Sequence, residues 1–409
     1  MIVPITRRSG ERFLVFFTIL LSVVGAGGPV APAGKKSPIN PSKVDLADPS
    51  AVASPSFCAM CPVRDGLEQF FAGRRGAAKK KLLENGGGSD KTETAVAAAL
   101  DFLVRVQKED GSWALDDDGP EGGRIRNDTA ATGFALLAFL GTGRTHRHGA
   151  KAGDKTEEAV SAAVEKGLQF LLKRQSNKTG EFDTDMYAHA IATLAVCEAY
   201  GMSVDPKLRG PGQRGLVHIV YAQHADGGWR YRPKQPGDTS VSGWQIVALD
   251  IGRIARLDVP NITINKSIHF LDTVCDPANE GYGYTGPGST PTLTAVGLLC
   301  RQHLQAWGPE NARLQKALAI LDAKAPSVGD MYYTYFATNV LRHVGGKRWQ
   351  DWNEKMMEAL LGAQEKDGPL RGSFRGAAGH VSGRLMQTCL CLWTLEVYYR
   401  HPPRFVGDR

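Results

Sequence analysis

A short recurring phrase constrains the fold of this chain more than any other feature. The segment Gln107–Trp113 reads Gln-x3-Gly-x-Trp, and Gln223–Trp229 repeats it. Each copy lies between two alanine- and leucine-rich helical stretches. Helix pairs that cannot bury their apolar faces alone must stack on their neighbours. The chain is therefore predicted to be an array of two-helix units of about 50 residues each.

Weaker copies of the phrase extend this array. They lie at Gln175–Phe182, Glu280–Tyr284 and Gln364–Phe374. A second echo, Asp-Met-Tyr at Asp185 and again at Asp330, recurs about three units later. Together these patterns indicate six units. The more apolar helix of each unit is predicted at Thr129–Leu140, Met186–Tyr200, Val241–Leu257, Leu293–Leu304, Tyr332–His343 and Leu385–Tyr399.

The two helices of each unit need different surroundings. The second helices are apolar on nearly every side, whereas first helices such as Glu158–Lys173 carry a polar stripe at helical spacing. An inner ring of six helices inside an outer ring of six satisfies both. An open solenoid would need polar caps, yet the last apolar helix, around Cys389–Leu395, is as apolar as the middle ones. An all-α, closed α/α toroid is therefore predicted over residues 92–401.

The sequence outside the repeats is typical of an export leader, a tether and a tail. Residues 1–33 combine an arginine-containing start with the apolar run Phe13–Val24 and small residues that suit cleavage. That run is short for a membrane span, so a retained membrane anchor is the alternative. Residues 34–91, rich in Pro, Ser, Gly and Lys, are predicted to be a flexible tether, and residues 402–409 a tail. The repeat body is then expected in the periplasm, at the cell envelope or outside the cell.

Charge and cysteine content bear on several function classes. Much of the net charge of +7 lies outside the repeats, without interleaved aromatic residues, so nucleic-acid binding is not expected. Membrane association would come only through a retained leader. Four of the seven cysteines fall inside apolar helices, where free cysteine packs as a small core residue. Cys58 and Cys61 form an isolated Cys-x2-Cys pair, for which a local disulfide, a metal ligand or no role all stay open.

With these repeats, the chain resembles the superfamily of terpenoid cyclases and protein prenyltransferases, in particular its squalene-cyclase-like (prenyltransferase/squalene oxidase) repeats. The resemblance implies a helical barrel with a central cavity. Triterpene cyclases of this superfamily protonate an alkene with an Asp-x-Asp-Asp-Thr-Ala segment. The nearest match here is Ile125–Ala130, in which Asp128 is the remaining acid. The resemblance therefore implies Asp128 as a candidate catalytic acid, whereas an aspartate before Thr-Ala is also a typical helix N-cap.

The prenyltransferase branch of this superfamily implies a different site. Its catalytic subunits hold zinc with an Asp, a Cys and a His from inner helices. The matching positions here are Ser242, Trp244 and Gln387, none of which is the required ligand. Neither a metal site nor a cofactor is therefore expected.

The starts of the inner helices should converge at one rim of such a barrel. Their Asp, Ser and Thr residues are explained as helix N-caps. The aromatic residues and the arginine within the next turn are not, and they suit a partly apolar ligand with an oxygenated or anionic end. Core packing is the alternative for the tyrosines, and a hydrogen-bonded core position for the histidine. The candidate ligand-binding residues are Asp185, Tyr187, His189, Trp244, Asp330, Tyr332, Tyr333 and Arg384.

Three functions fit these features. The first is a binding or interaction module at the cell envelope, whose partner is an envelope protein or a lipid-like or other small ligand in the central cavity. The second is a terpenoid or polyprenyl cyclase or transferase that uses Asp128 as a residual acid. The third is an extracellular glycan-active enzyme, because carbohydrate-active enzymes also use double-ring helical barrels.

Overall fold

The chain folds into two concentric rings of α-helices. The computed structural model describes residues 67–116, 123, 125–147, 154–375 and 383–401. Within these ranges the regular elements are helical, and the β-structure consists of isolated bridges. In chain order the helices are α1 (Leu67–Ala72), α2 (Gly76–Gly86), α3 (Asp90–Arg105), α4 (Asp128–Gly141), α5 (Lys155–Arg174), α6 (Met186–Ser203), α7 (Pro206–Ala222), α8 (Thr239–Ile254), α9 (Asn261–Thr273), α10 (Pro291–Gln305), α11 (Ala312–Asp322), α12 (Met331–Val344), α13 (Gly346–Ala363), α14 (Gly383–Leu395) and α15 (Val397–Arg400).

The even-numbered helices from α4 to α14 form the inner ring, and this ring closes on itself. Each inner helix packs against the next one along the chain, and α14 packs against α4. In the outer ring, which contains the odd-numbered helices from α3 to α13, α3 packs against both α5 and α13. The predicted all-α toroid with six inner and six outer helices is therefore confirmed.

Burial explains which helices lie inside. In α4, the residues from Thr129 to Gly141 are all buried. In α5, buried residues recur at helical spacing from Val160 to Leu171, and charged residues cover the opposite face. The apolar helices thus need neighbours on all sides, whereas each amphipathic helix needs the inner ring on one side.

The repeated glutamine joins each two-helix unit to the next. The side-chain amide of Gln223 donates to the carbonyl oxygen of Gly227 in its own turn, at 2.9 Å, and to that of Thr263 in the next outer helix, at 3.0 Å. One buried amide therefore satisfies acceptors in two successive units. The same pair of bonds is made by Gln107, Gln175 and Gln364.

The bonds of Gln364 cross the seam of the ring. Its amide donates to the carbonyl oxygen of Gly372 at 3.0 Å and to that of Ala95, in α3, at 2.8 Å. The last unit is thus joined to the first by the same bonds that join neighbours elsewhere.

The glycine and tryptophan of the phrase shape each turn. Gly227 has a φ of 93°, and a Cβ there would overlap the backbone of Lys266 in the next outer helix. Trp229 is buried; its indole N–H donates to the carbonyl oxygen of Ile219 at 2.8 Å, and its backbone N–H to Ser242 Oγ at 2.9 Å. The glycine therefore permits close approach of the next unit, while the tryptophan fixes the turn to both helices of its own unit.

Residues 67–88, here called the N-terminal strap, cross one end of the barrel. In this strap α1 packs against α6, and α2 packs against α15. Arg74, fully buried between α1 and α2, donates to the carbonyl oxygens of Leu140 and Arg400 and to the carboxylate of Glu198, at 3.1, 2.9 and 2.7 Å. Because these acceptors come from α4, α15 and α6, one side chain ties the strap to three helices.

The strap differs from the flexible tether that the sequence predicts over residues 34–91. From Leu67 onward this segment is largely helical and packed on the body. The prediction of a tether followed from the Gly- and Lys-rich composition of the segment. The segment also contains three apolar residues that pack on the body and are buried, Phe70, Phe71 and Leu83. The predicted leader, Cys58, Cys61 and the tail at 402–409 lie outside the described residues. Among the helices that are described, none is both long and apolar enough to cross a membrane.

Replacing the seam glutamine tests how far the ring depends on these bonds. Gln364→Ala leaves two buried carbonyl acceptors without their side-chain donor, so the free energy of unfolding should fall by about 2 kcal/mol or more. Urea unfolding measures this change. The control Gln169→Ala removes an amide that bonds only within an exposed stretch of α5 and should change stability by less than about 0.5 kcal/mol. Equal effects of the two substitutions would contradict the role of the seam.

Candidate functional site: a carboxyl–tyrosine centre

Helix capping accounts for two of the predicted rim aspartates. Asp185 Oδ1 accepts from the backbone N–H groups of Tyr187 and Ala188 at 2.9 and 3.2 Å. Asp330 Oδ1 accepts from the backbone N–H of Tyr333 at 3.1 Å, and its second oxygen pairs with Lys324 at 2.6 Å. Both aspartates therefore cap their own helices.

Asp128 lies in an unsuitable environment for a buried acid. Asn127, not Asp128, is the N-cap of α4, and its side chain accepts from the backbone N–H of Ala130 at 2.8 Å. The Asp128 carboxylate is 36% exposed and pairs with Lys108 at 3.2 Å. An exposed carboxylate beside a cation lacks the burial that keeps a catalytic acid protonated.

Asp128 instead lines a groove at the edge of the ring, between the turns that precede α4 and α6. This rim groove has a volume of about 850 Å³. Its walls are strongly polar, and Arg126 pairs with Asp116 across a distance of 2.6 Å. The charged residues of the groove are Lys108, Asp116, Arg126, Asp128, Lys173, Arg174, Glu181 and Asp183.

His189 occupies a structural position in its repeat. Its Nδ1 accepts from the backbone N–H of Phe182 at 3.1 Å, and its Nε2 donates to the carbonyl oxygen of Gly215 at 3.1 Å. In the unit of Trp229, the hydroxyl of Ser242 accepts the corresponding turn N–H. Burial lowers the pKa of His189 well below its ordinary value, so the ring is neutral.

Tyr333 bonds to the end of an outer helix, and Arg384 bonds to a turn. The Tyr333 hydroxyl lies 3.0 and 2.8 Å from the carbonyl oxygens of Leu321 and Lys324, to which it donates. The Arg384 guanidinium donates to Ser373 Oγ at 2.8 Å. These contacts hold the structure of the rim.

Three predicted residues meet near the centre of the ring. The Trp244 indole N–H donates to the Tyr332 hydroxyl at 3.1 Å, and the side chains of Tyr187 and Tyr332 share a hydrogen bond. Tyr187 and Trp244 are buried, and Tyr332 is partly buried. Helices α6, α8 and α12 thus each contribute one polar aromatic residue to this contact, whereas their role as ligand-binding residues stays a prediction.

Aromatic rings fill the space beside these three residues. Trp244 stacks on Tyr335 with ring centroids 5.9 Å apart, and Phe134 stacks on Trp393 at 5.0 Å. Phe336 packs edge-on against Trp244 at 5.1 Å. These five side chains, here called the aromatic cluster, are all buried. Where the family resemblance implies an open hollow lined by Tyr187, Trp244 and Tyr332, the structure has rings in mutual contact.

A buried carboxyl group adjoins the tyrosines. Asp238 is the N-cap of α8 and is fully buried; its Oδ1 accepts from Val241 N–H at 2.9 Å and from the Ser240 hydroxyl at 2.5 Å. Its Oδ2 has no hydrogen-bond partner among the described residues. Burial raises the pKa of Asp238 to about 6, although these hydrogen bonds and the charge of Arg230 oppose the shift.

Asp185 has a similar environment. Burial is the main cause that raises its pKa to about 6, and neighbouring Asp183 adds to the shift. The charges of Asp185 and Asp238 both act on the Tyr187 phenol. We call Asp185, Tyr187, Asp238, Tyr332 and Trp244 the carboxyl–tyrosine centre. Carboxyl groups that retain a proton nearer to neutral pH are suited to donate it to a bound ligand.

Asp238 is the residue of this centre that the sequence analysis missed. Its segment, Asp238-Thr239-Ser240, has the same Asp-Thr-small order as Asp128-Thr129-Ala130, and both lie at the start of an inner helix. Comparing equivalent positions of the repeats would have found it. Such a comparison of repeat positions does not reveal which of the two aspartates is buried.

No grouping of three or more His, Cys, Asp or Glu side chains within the described ranges could hold a metal ion.

The pH dependence of stability tests the environment of Asp238. Its folded pKa of about 6 lies above the value of about 3.9 for an unfolded aspartate. Between these values the unfolded state has already ionised while the folded state keeps its proton, so stability falls as the pH rises through 6. Titration of Asp238 should therefore lower the unfolding free energy of the wild type by about 2 kcal/mol between pH 4 and pH 7.

The variant Asp238→Asn keeps the N-cap acceptor but cannot ionise. Its unfolding free energy, measured by urea unfolding across this pH range, should lack that fall. Asp128→Asn, at the equivalent but exposed position, is the control and should follow the wild type. Parallel curves for wild type and Asp238→Asn would show that Asp238 does not titrate as described.

Comparison with known proteins places this geometry among related folds. No protein-family model matches the chain. Drimenyl diphosphate synthase from Streptomyces showdoensis is 24% identical over 189 residues, which cover 44% of this chain and 31% of that enzyme. The match therefore spans less than a third of the length of this relative.

Solved structures with a similar fold include two kinds of enzyme. The type II terpene cyclase MstE from Scytonema, in complex with geranylgeranyl dihydroxybenzoate, is 12% identical, with 76% of this chain and 97% of that chain covered and a TM-score of 0.52. The α-1,6-mannanase of glycoside hydrolase family 76 from Salegentibacter is 11% identical, with 76% and 99% covered and a TM-score of 0.54. A family 76 mannosidase from Bacteroides thetaiotaomicron is 11% identical, with 76% and 97% covered and a TM-score of 0.54.

At these identities the structural likeness establishes the fold. The chain thus has the helical toroid fold that its repeated phrases predict, and its partial sequence match is to an enzyme that makes a terpenoid diphosphate.

Proposed function

We propose that the protein is an enzyme that protonates an unsaturated isoprenoid chain, with Asp238 as the general acid. One observation carries this proposal. The Asp238 carboxyl is fully buried, and one of its oxygens has no hydrogen-bond partner in the part of the chain that the structure describes. This carboxyl replaces Asp128, which the family resemblance implies as the residual acid.

Burial is the property that this chemistry requires. An alkene is a very poor base, so its proton donor must be a carboxylic acid that the environment prevents from ionising easily. In the proposed step the O–H bond of Asp238 breaks, a C–H bond forms at one alkene carbon, and a carbocation remains on the other. Attack by a second alkene of the chain closes a ring and moves the charge. Loss of a proton to water, from which the Asp238 carboxylate is reprotonated, then completes a cyclisation without change in composition.

The neighbouring side chains suit the products of this step. The faces of aromatic rings attract cations, and the aromatic cluster adjoins the centre through Trp244. Because these rings now occupy the middle of the ring of helices, a substrate must displace some of them. Tyr332 is the partly buried member of the centre, so entry is proposed to begin at its side.

The comparisons support the class of substrate without fixing it. The partial sequence relative is a drimenyl diphosphate synthase, and one structural neighbour is a type II terpene cyclase bound to geranylgeranyl dihydroxybenzoate. Both act on, or bind, molecules with isoprenoid chains. We extend this class to the present chain as a proposal.

A second candidate is a binding or interaction module at the cell envelope that performs no chemistry. The packed aromatic cluster favours it, because a closed centre suits a rigid scaffold better than a large substrate pocket. In this version a small ligand or an envelope protein binds at the carboxyl–tyrosine centre or the rim groove. This second candidate includes the proposal that the leader at residues 1–33 directs the protein out of the cytoplasm.

The rim groove also keeps the glycan-active alternative open. It carries several carboxylates, among them Asp116, Asp128 and Asp183, and hydrolysis of glycosidic bonds uses pairs of such groups. Two of the structural neighbours are a mannanase and a mannosidase. This version requires Asp128, whereas the leading proposal requires Asp238.

Matched substitutions distinguish these proposals. Purified wild-type protein is incubated with a panel of linear prenyl diphosphates and polyprenes, and the products are identified by gas chromatography and mass spectrometry. Asp238→Asn should lower the rate of product formation by about 100-fold or more, since general acid catalysis contributes 10²–10⁴-fold. Asp128→Asn should retain the rate of the wild type.

Equal turnover by wild type and Asp238→Asn would remove Asp238 from the mechanism. Failure of the wild type to convert any member of the panel, combined with retention of a ligand from envelope lipid extract, would favour the binding module. Release of oligosaccharides that depends on Asp128 would favour the glycan-active enzyme.

A further inference from the structure

One short segment places an arginine near each buried carboxyl group of the centre. Arg230 and Arg232 flank Tyr231 in the turn before α8. Arg230 Nε lies 3.8 Å from Asp238 Oδ2, and the positive charge of Arg232 acts on Asp185. The segment is bonded to the ring, because the carbonyl oxygen of Tyr231 accepts from the first N–H of α6 at 3.0 Å.

Arg230 faces solvent and the buried carboxyl at the same time. Its side chain is 37% exposed, whereas that of Asp238 is 0% exposed. The guanidinium lies over the ring of Tyr284, 5.4 Å from its centroid, and 5.8 Å from that of Tyr231. The hydroxyls of these two tyrosines are hydrogen-bonded to each other at 3.0 Å. Arg230 is therefore a cation that lies against an aromatic pair and stays partly exposed to solvent.

The distance from Arg230 to Asp238 is an ion-pair distance that is too long for a hydrogen bond. Asp238 Oδ2 is therefore close to the positive charge of Arg230, and no described residue donates a hydrogen bond to it. A guanidinium carries five N–H donors in a planar fork that matches phosphate and carboxylate oxygens. An anion that binds its exposed side would draw it from the carboxyl without breaking a hydrogen bond between them.

We propose that Arg230 and Arg232 bind the anionic end of the ligand, and that this binding removes the positive charge of Arg230 from Asp238 and so keeps its proton in place for transfer. The inference rests on the proposed function and deepens it: the ligand is an isoprenoid or similar apolar chain that ends in a phosphate or carboxylate group. Substrate binding and acid strength are then coupled, because the carboxyl becomes more fully protonated when the ligand's charged end is bound.

The other titratable groups around Asp238 do not compete with this effect. The charge of Asp238 acts on four tyrosines. Burial raises the pKa of each of these tyrosines, so their phenols are neutral near pH 7. Asp185, the second carboxyl of the centre, acts on the same Tyr187 and has its own arginine. The four tyrosines are Tyr187, Tyr231, Tyr284 and Tyr332.

The test uses the full chain and follows the carboxyl group directly. Inorganic pyrophosphate and acetate are titrated in separate arms at pH 7, with binding measured by calorimetry. The C=O absorption of protonated carboxyl groups is followed by difference infrared spectroscopy. At least one anion should bind the wild type and increase this absorption, and the increase should be absent from Asp238→Asn. The responding arm identifies a phosphate-type or carboxylate head group.

Arginine variants separate the specific site from general charge attraction. Arg230→Gln should bind the anion about tenfold more weakly, the loss expected for a charge-assisted hydrogen bond, and should show the protonated-carboxyl absorption without any anion. Arg230→Lys keeps the charge and should show an intermediate response. Arg105→Gln, on the outer helix α3 and 33% exposed, is the matched control and should behave as the wild type.

The inference is overturned if neither anion binds, if Arg230→Gln binds as tightly as the wild type, or if the carboxyl absorption does not change. These outcomes do not depend on turnover. An enzyme whose product formation requires Asp238 but whose carboxyl ignores the anion would therefore refute the coupling alone. An anion-dependent absorption without any product from the prenyl panel would refute the acid catalysis alone.

Discussion

A glutamine amide in each of four turns, buried in three of them, holds one two-helix unit against the next, and the closed ring depends on these bonds. A side chain of different shape could not replace this amide, because the amide donates both to its own turn and to the following outer helix. After α9 and α11 the phrase lacks its glutamine, and charged pairs link the units instead, such as Arg313 with Glu280 and Arg348 with Asp322. Exposed ion pairs stabilise little, so this side of the ring is expected to be the weaker one.

Closure explains how a repeated structure acquires a singular site. Equivalent aspartates at the starts of α4 and α8 experience opposite environments: Asp128 faces the rim groove and a lysine, whereas the turn that carries Arg230, together with the tyrosines beside it, encloses Asp238. The difference comes from the turns and not from the helices. The repeat thus supplies the position of a carboxyl group, and the turns of two neighbouring units supply the burial that changes its chemistry.

The repeated phrase was sufficient to predict the double ring, because its Gln, Gly and Trp each make a contact that recurs from unit to unit. The expected convergence of the inner-helix starts brought Tyr187, Trp244 and Tyr332 to one list of candidates, and the structure has them in contact. Local sequence could not show which aspartate is buried, since the burial depends on Tyr284 from a different turn. It also could not show that aromatic rings, among them Phe134 and Trp393, fill the centre. The N-terminal strap was mistaken for a tether because Arg74 is stabilised by partners up to 326 residues away, which no local composition reveals.

The protonation of Asp238 is the quantity on which the account most directly rests. Nuclear magnetic resonance titration of aspartate side-chain carboxyl carbons, with the Asp238 signal assigned by its loss in Asp238→Asn, measures it in the folded protein. The account predicts a midpoint near the pKa of about 6 that burial gives this group. A midpoint near 3.9, the value of a solvated aspartate, would contradict the buried carboxyl and the chemistry proposed for it.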